Sequence, residues 1–181
     1  MKRFILLSLS SLLFLNLFAS NTIVANINEL ELANKNAKPG DTIVLKNGEW
    51  NNVTFKLDAK GLKENPIIFK AETKGKVIIT GNSKLLIGGE FLEIDGFYFT
   101  KGYSGVDAVI KFSVNSQKIA NNCRVTNTVI NDFNNPRRLD ENYWVALYGK
   151  NNRVDHCSFL NKKNIGVLLA VILEDDRSRA N

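Results

Sequence analysis

Few side chains in this sequence carry groups suited to chemistry, and their surroundings decide what each could do. His156 is the only histidine, and an imidazole titrates near neutrality, which suits proton transfer. It stands in Arg153-Val154-Asp155-His156-Cys157-Ser158-Phe159, a phrase whose two earlier copies carry Gly96 and Asn127 at the same place. A position shared by Gly, Asn and His suits a tight turn, so a turn role is expected ahead of a catalytic one. Cys123 and Cys157 are the only two cysteines. An oxidising compartment would allow a bridge, but the two fall at different places in the repeated phrase, and two buried free thiols are expected. So few soft ligands build no metal cluster. Glu174, Asp175 and Asp176 could bind a cation, although three adjacent carboxylates cannot all face one site. Arg137 and Arg138 lie on the longest loop, Asn131 to Tyr143, and a guanidinium pairs a carboxylate bidentately. Solvated loop charges are the simpler expectation for both. Tyr143 and Trp144 could offer a stacking surface, while Trp144 fits better as a packed strand residue.

The elements that must position these groups follow from repetition. The phrase runs Leu92 to Phe99, then Cys123 to Ile130, then Asn152 to Leu160. Ile94, Val125 and Val154 fall in one column and Phe99, Ile130 and Phe159 in another, about 30 residues apart, a spacing that marks stacked repeats. Apolar residues alternate within each copy, as strands with one buried face require. Ile94, Phe97 and Phe99 are expected inside, with Val125, Thr128 and Ile130, then Val154, Cys157 and Phe159. A further apolar run follows each copy: Ala108–Phe112, Trp144–Tyr148 and Gly166–Leu173. Three short strands per repeat describe one coil of a parallel β-helix, an all-β solenoid whose coils bury their apolar faces only by stacking. Further strands are expected at Thr42–Leu45, Val53–Leu57, Pro66–Ala71, Val77–Thr80 and Leu85–Ile87. Ahead of them, Asn26 to Asn36 reads as a short helix, with Ile27, Leu30, Ala33 and Ala37 at helical steps. It is expected to cap the open end of the solenoid.

Lys2 and Arg3 followed by an apolar stretch from Phe4 to Ala19 have the layout of a secretory signal peptide. Residues 1–20 are expected to be removed, leaving a secreted or periplasmic β-helix domain over 21–181 with no membrane attachment. Loss of Lys2 and Arg3 takes the formal charge from +6 to +4. A modest positive balance suits an acidic partner, and export disfavours nucleic acid. The sequence stops after the charged Glu174–Asn181 segment with no capping element, so a β-helix truncated at its C-terminal end is expected.

Three stretches taken together, Lys38-Pro39-Gly40-Asp41-Thr42-Ile43, Asn65-Pro66-Ile67-Ile68-Phe69-Lys70-Ala71 and Arg153 to Phe159, resemble the chondroitinase-B and alginate lyase family of polysaccharide lyases. The resemblance runs from about Ile27 to Asn181. It implies a right-handed, single-stranded parallel β-helix, monomeric at full length. It also implies cleavage of uronate polymers (alginate, or chondroitin and dermatan sulfate) by β-elimination. The proton at C5 of a uronate is weakly acidic because the neighbouring carboxylate is negative, and the family neutralises that carboxylate with calcium. A lysine of depressed pKa then takes the proton, and an arginine assists the leaving oxygen.

By the same resemblance, the lysine, the arginine and the Asn and Glu ligands for calcium belong to coils after Asn181. No catalytic residue and no metal ligand is therefore assigned in this chain, which is expected to be inactive alone. Arg177 and Arg179 stand where related lyases turn a basic residue toward substrate, and with Arg137 and Arg138 they are the candidate substrate contacts. The alternative is a non-catalytic β-helix that binds or adheres to acidic carbohydrate.

Overall fold

The β-branched and aromatic residues alternating along this chain form strands too short to bury a face alone, each completed by a neighbour one repeat away. The computed structural model describes residues 19–105 and 107–173. In chain order these form β1 (Asn21–Val24), α1 (Ile27–Asn36), β2 (Thr42–Leu45), β3 (Gly48–Asn51), β4 (Thr54–Leu57), β5 (Ile67–Ala71), β6 (Val77–Asn82) and β7 (Lys84–Ile87). Next come β8 (Leu92–Asp95), β9 (Phe97–Tyr103), β10 (Ile110–Lys111), β11 (Ser113–Asn115) and β12 (Lys118–Ile119). The last are β13 (Arg124–Thr126), β14 (Val129–Phe133), β15 (Val145–Leu147), β16 (Arg153–Asp155), β17 (Ser158–Leu160) and β18 (Leu169–Val171). No helix among the described residues is long and apolar enough to cross a membrane.

Three sheets run along the molecule. The first has the order β1-β2-β5-β8-β13-β16, the second β3-β6-β9-β14-β17 and the third β4-β7-β10-β15-β18. Each winding gives one strand to each sheet and every pairing is parallel, so the molecule is a parallel β-helix. Its interior is built from columns of like residues. Ile43, Phe69, Ile94, Val125 and Val154 stack in the first sheet. Trp50, Ile79, Phe99, Ile130 and Phe159 stack in the second, and Phe55, Leu85, Ile110, Val145 and Leu169 in the third. Most of these are fully buried, each contributing about 1.5–3 kcal/mol by leaving water. Val154 and Phe159, on the last described winding, are only partly buried.

The corners are stacked as strictly as the strands. Gly96, Asn127 and His156 have φ of 87°, 50° and 51°, and occupy one column between the first and second sheets. Phe91, Asn122 and Asn151 form a second left-handed column (50°, 55° and 56°), and Lys101, Asp132 and Asn161 a third (49°, 52° and 63°). Asn tolerates this region because its short amide bonds locally, and here the amides also bond between windings. Asn127 Nδ2 donates to Asp95 Oδ1 at 2.7 Å and Asn161 Nδ2 to Asn131 Oδ1 at 2.9 Å. At Gly102 the constraint is contact, since a Cβ there would lie 2.3 Å from the carbonyl oxygen of Gly81.

Helix α1 covers the start of the coil. Asn26 caps it, accepting from the Glu29 amide at 3.0 Å, while Glu29 Oε2 accepts from the Ala25 amide at 2.7 Å. Leu30 is buried, and buried Asn34 ties the helix to the end of β4: its Nδ2 donates to Asp58 Oδ1, and its Oδ1 accepts from the amides of Asp58 and Ala59.

The structure adds three elements to the expected set. Strand β3, absent from the expected strands, pairs with β6 and turns Trp50 inward. Strand β1 precedes the helix and pairs with β2. β11 and β12 form an antiparallel hairpin within an otherwise parallel stack. Arg177, Arg179 and the Glu174–Asp176 carboxylates lie outside the described residues, as does most of the expected signal peptide.

Candidate functional site

On the last three windings the chain passes from the second sheet to the third through loops rather than tight corners. Segments 104–109, 134–144 and 161–168 follow β9, β14 and β17 and stack there, one per winding. Solenoids carry binding insertions on one such face.

In the first of these loops, Asp107 receives Lys84 Nζ at 3.0 Å on one oxygen and Lys111 Nζ at 3.1 Å on the other. Burial raises the Asp107 pKa, but the two lysines outweigh it and the carboxyl ends below its ordinary value. The Lys111 ammonium also lies 5.7 Å from the centre of the Tyr148 ring.

The second loop is tied down from several sides. Trp144 is fully buried with Nε1 donating to the Phe133 carbonyl at 2.9 Å, so it packs as a strand residue. Asn135 Nδ2 donates to the Gly105 carbonyl at 2.6 Å. The two arginines of the loop part company. Arg137 reaches Asp140 Oδ1 at 2.9 Å with its side chain 85% exposed. Arg138 turns instead to a cavity of roughly 520 Å³ that it lines with Asn134, Pro136, Lys162, Lys163 and Asn164.

The third loop supplies the rest of that cavity. Asn164 is buried; its Oδ1 accepts from the Asn135 amide at 2.6 Å, and its Nδ2 donates to the Asn135 and Arg137 carbonyls at 3.2 and 2.8 Å. Lys162 Nζ donates to the carbonyls of Asn164 and Ile165 at 2.9 and 3.3 Å. Burial lowers its pKa, and the charge of Glu141 acts against that shift. Lys163 pairs with Asp132 at 2.7 Å. The arrangement can hold an oxyanion.

Among the described residues, no three His, Cys, Asp or Glu side chains converge on a point that could hold a metal. The corner carboxylates Asp107, Asp132 and Asp140 are each engaged by lysine or arginine. A cluster of carboxylates suited to calcium is thus not present among the described residues.

The other candidate groups are placed as follows. His156 is exposed, at a left-handed corner with Nδ1 3.5 Å from Asp155, which is a turn position. Cys123 and Cys157 are free, the first buried and the second half-buried. Burial pushes the Cys123 thiol up to about 11. Tyr143 is half-buried and its hydroxyl lies 3.5 Å from Glu141. Lys162 was not among the candidates from sequence, since a Lys-Lys pair carries no signal of which ammonium turns inward. Sequence reasoning also missed an ion network on the outer face of the first sheet. There Arg124 grips Asp155 with two nitrogens at 3.0 Å and Glu93 at 3.2 Å, and Arg153 reaches the same Asp155 at 2.6 Å. Arg124 in particular holds the Asp155 carboxyl far below its ordinary value. That network joins the windings of β8, β13 and β16.

Comparison with known proteins places this geometry. Residues 24–181 match the family model described as Chondroitinase B. Among solved structures, the chain is similar to the PL6 family alginate lyase AlyGC at 39% identity and a TM-score of 0.84, over 88% of this chain and 22% of that one. It is similar to the PL6 family polysaccharide lyase Pedsa3628 from Pseudopedobacter saltans at 32% identity and 0.78, over 86% and 35%. A mannuronic acid specific polysaccharide family 6 lyase from human gut microbiota matches at 34% identity and 0.78, over 87% and 37%. The chain thus spans well under half the length of each. Comparison with curated proteins gives no match.

Proposed function

The chain belongs to the chondroitinase B family of polysaccharide lyases, and from that premise we propose that it serves in the β-elimination of uronate polymers, with alginate the favoured substrate. The match over residues 24–181, with 39% identity to an alginate lyase, carries this reading. Mannuronate specificity in a second relative supports alginate over the sulfated galactosamine polymers, chondroitin and dermatan sulfate. The positively charged stretch and apolar run at Lys2–Ala19 support export to the periplasm or beyond.

The chain contributes the first windings of the solenoid to this work and does not complete the reaction alone. Its span of 22–37% of the similar lyases supports that, as does the pairing of the corner carboxylates Asp107, Asp132 and Asp140 with lysine or arginine. Of the candidate substrate contacts, Arg138 is favoured over Arg137, whose guanidinium is occupied by Asp140. A second reading, binding of acidic carbohydrate without cleavage, has the cationic cavity at Arg138 in its favour. The test is to mix the chain with alginate, chondroitin sulfate or dermatan sulfate and follow the ultraviolet absorbance of unsaturated uronate. Binding without product fits both readings. Extending the chain with the later windings of a similar lyase should then restore product under the first reading alone.

A further inference from the structure

We propose that the cavity between residues 134–138 and 162–164 is a subsite for one uronate residue, whose carboxylate is taken by Arg138 and Lys162. The inference rests on the uronate-polymer reading and adds to it the place and the groups of contact. Arg138 is exposed at the cavity and, among the described residues, its guanidinium has no acidic partner, whereas Arg137 beside it is held by Asp140. A lysine ammonium has three donors, and Lys162 places two on the carbonyls of Asn164 and Ile165, which fixes its position and leaves the third. Lys163 is neutralised by Asp132, so Arg138 and Lys162 are the cations that remain to meet a carboxylate in the cavity.

The cavity is also held in shape before any ligand arrives. Asn164 binds the backbone of Asn135 and Arg137 from within, and the Ile165 amide donates to the Arg138 carbonyl at 3.1 Å. Fixed groups lose little freedom on binding, which favours affinity. Asn135, buried in the cavity wall, is itself held in place by Nδ2 donating to the Gly105 carbonyl at 2.6 Å. The planar guanidinium fork beside a single remaining ammonium donor matches the two oxygens of a carboxylate.

The test is calorimetric titration of the full chain with tetramannuronate, and with neutral cellotetraose of equal length. Binding of tetramannuronate alone is expected, weakened by about tenfold in Arg138→Ala and Lys162→Ala and by less in Arg138→Lys. Lys35→Ala removes an exposed positive charge on α1 and should leave the affinity unchanged. Circular dichroism confirms that each variant is folded. Equal affinity for cellotetraose, no binding of tetramannuronate, or an Arg138→Ala affinity equal to that of the parent chain would each overturn the subsite. The lyase reading is decided separately, by product formation, and survives any of those three results.

Discussion

At position 156 the backbone has φ of 51°, and the side chain points to solvent beside Asp155. The conformation costs an ordinary residue about 1–2 kcal/mol and glycine almost nothing. His156→Gly is therefore expected to match or slightly exceed the parent in urea unfolding, and His156→Val to lose about 1–2 kcal/mol. A large loss in the glycine variant would show that the imidazole itself holds structure. This turn role was legible in the sequence because Gly96 and Asn127 occupy the same place in the repeat. The division of labour between Arg137 and Arg138 was not legible. It depends on Asp140 folding back onto one of two identical neighbours, which no spacing rule encodes. Lys162 was hidden for the same reason, beside an identical Lys163 that pairs outward with Asp132.

The strands and helix were largely readable because a two-residue alternation repeated about every 30 residues admits one stacking register. Ile94, Val125 and Val154 do stand in register, as do Phe99, Ile130 and Phe159. Strand β3 escaped because four residues with one inward Trp50 show no alternation, and its strand character comes from pairing with β6. The β11–β12 hairpin escaped because it interrupts the period. Between windings, Asp155 and Asp107 have folded pKa values below the ordinary carboxylate value. Their ion pairs thus stabilise the fold above about pH 4 and are lost as pH falls through the lower folded values. Stability is expected to drop over that acidic window, and Arg124→Met should flatten the drop; an unchanged acid limb in the variant would contradict the assignment. At the other end of the stack, Asn34→Ala strands the Asp58 and Ala59 amides and should cost about 1–3 kcal/mol. Hydrogen exchange should then quicken at α1 before the inner strands.

Across the whole molecule, strands β16, β17 and β18 each have one neighbour among the described residues. The winding they form exposes Val167 at 54% and Val171 at 67%. Unpaired edges beside apolar side chains invite further strands. The purified chain is expected to self-associate as concentration rises, and Val171→Lys to reduce this, as light scattering on a sizing column would report. A monodisperse monomer at every concentration would show that the edge is covered. The parallel β-helix was legible from the sequence at this scale, whereas the cavity at Arg138 was not, since it exists only where two loops from separate windings meet. The most direct test of the account is incubation of the 181-residue chain with alginate, read both for bound oligouronate and for unsaturated product. Oligouronate bound at the Arg138 corner with no product is the predicted result. Product released by this chain and abolished by a chelator would contradict the account.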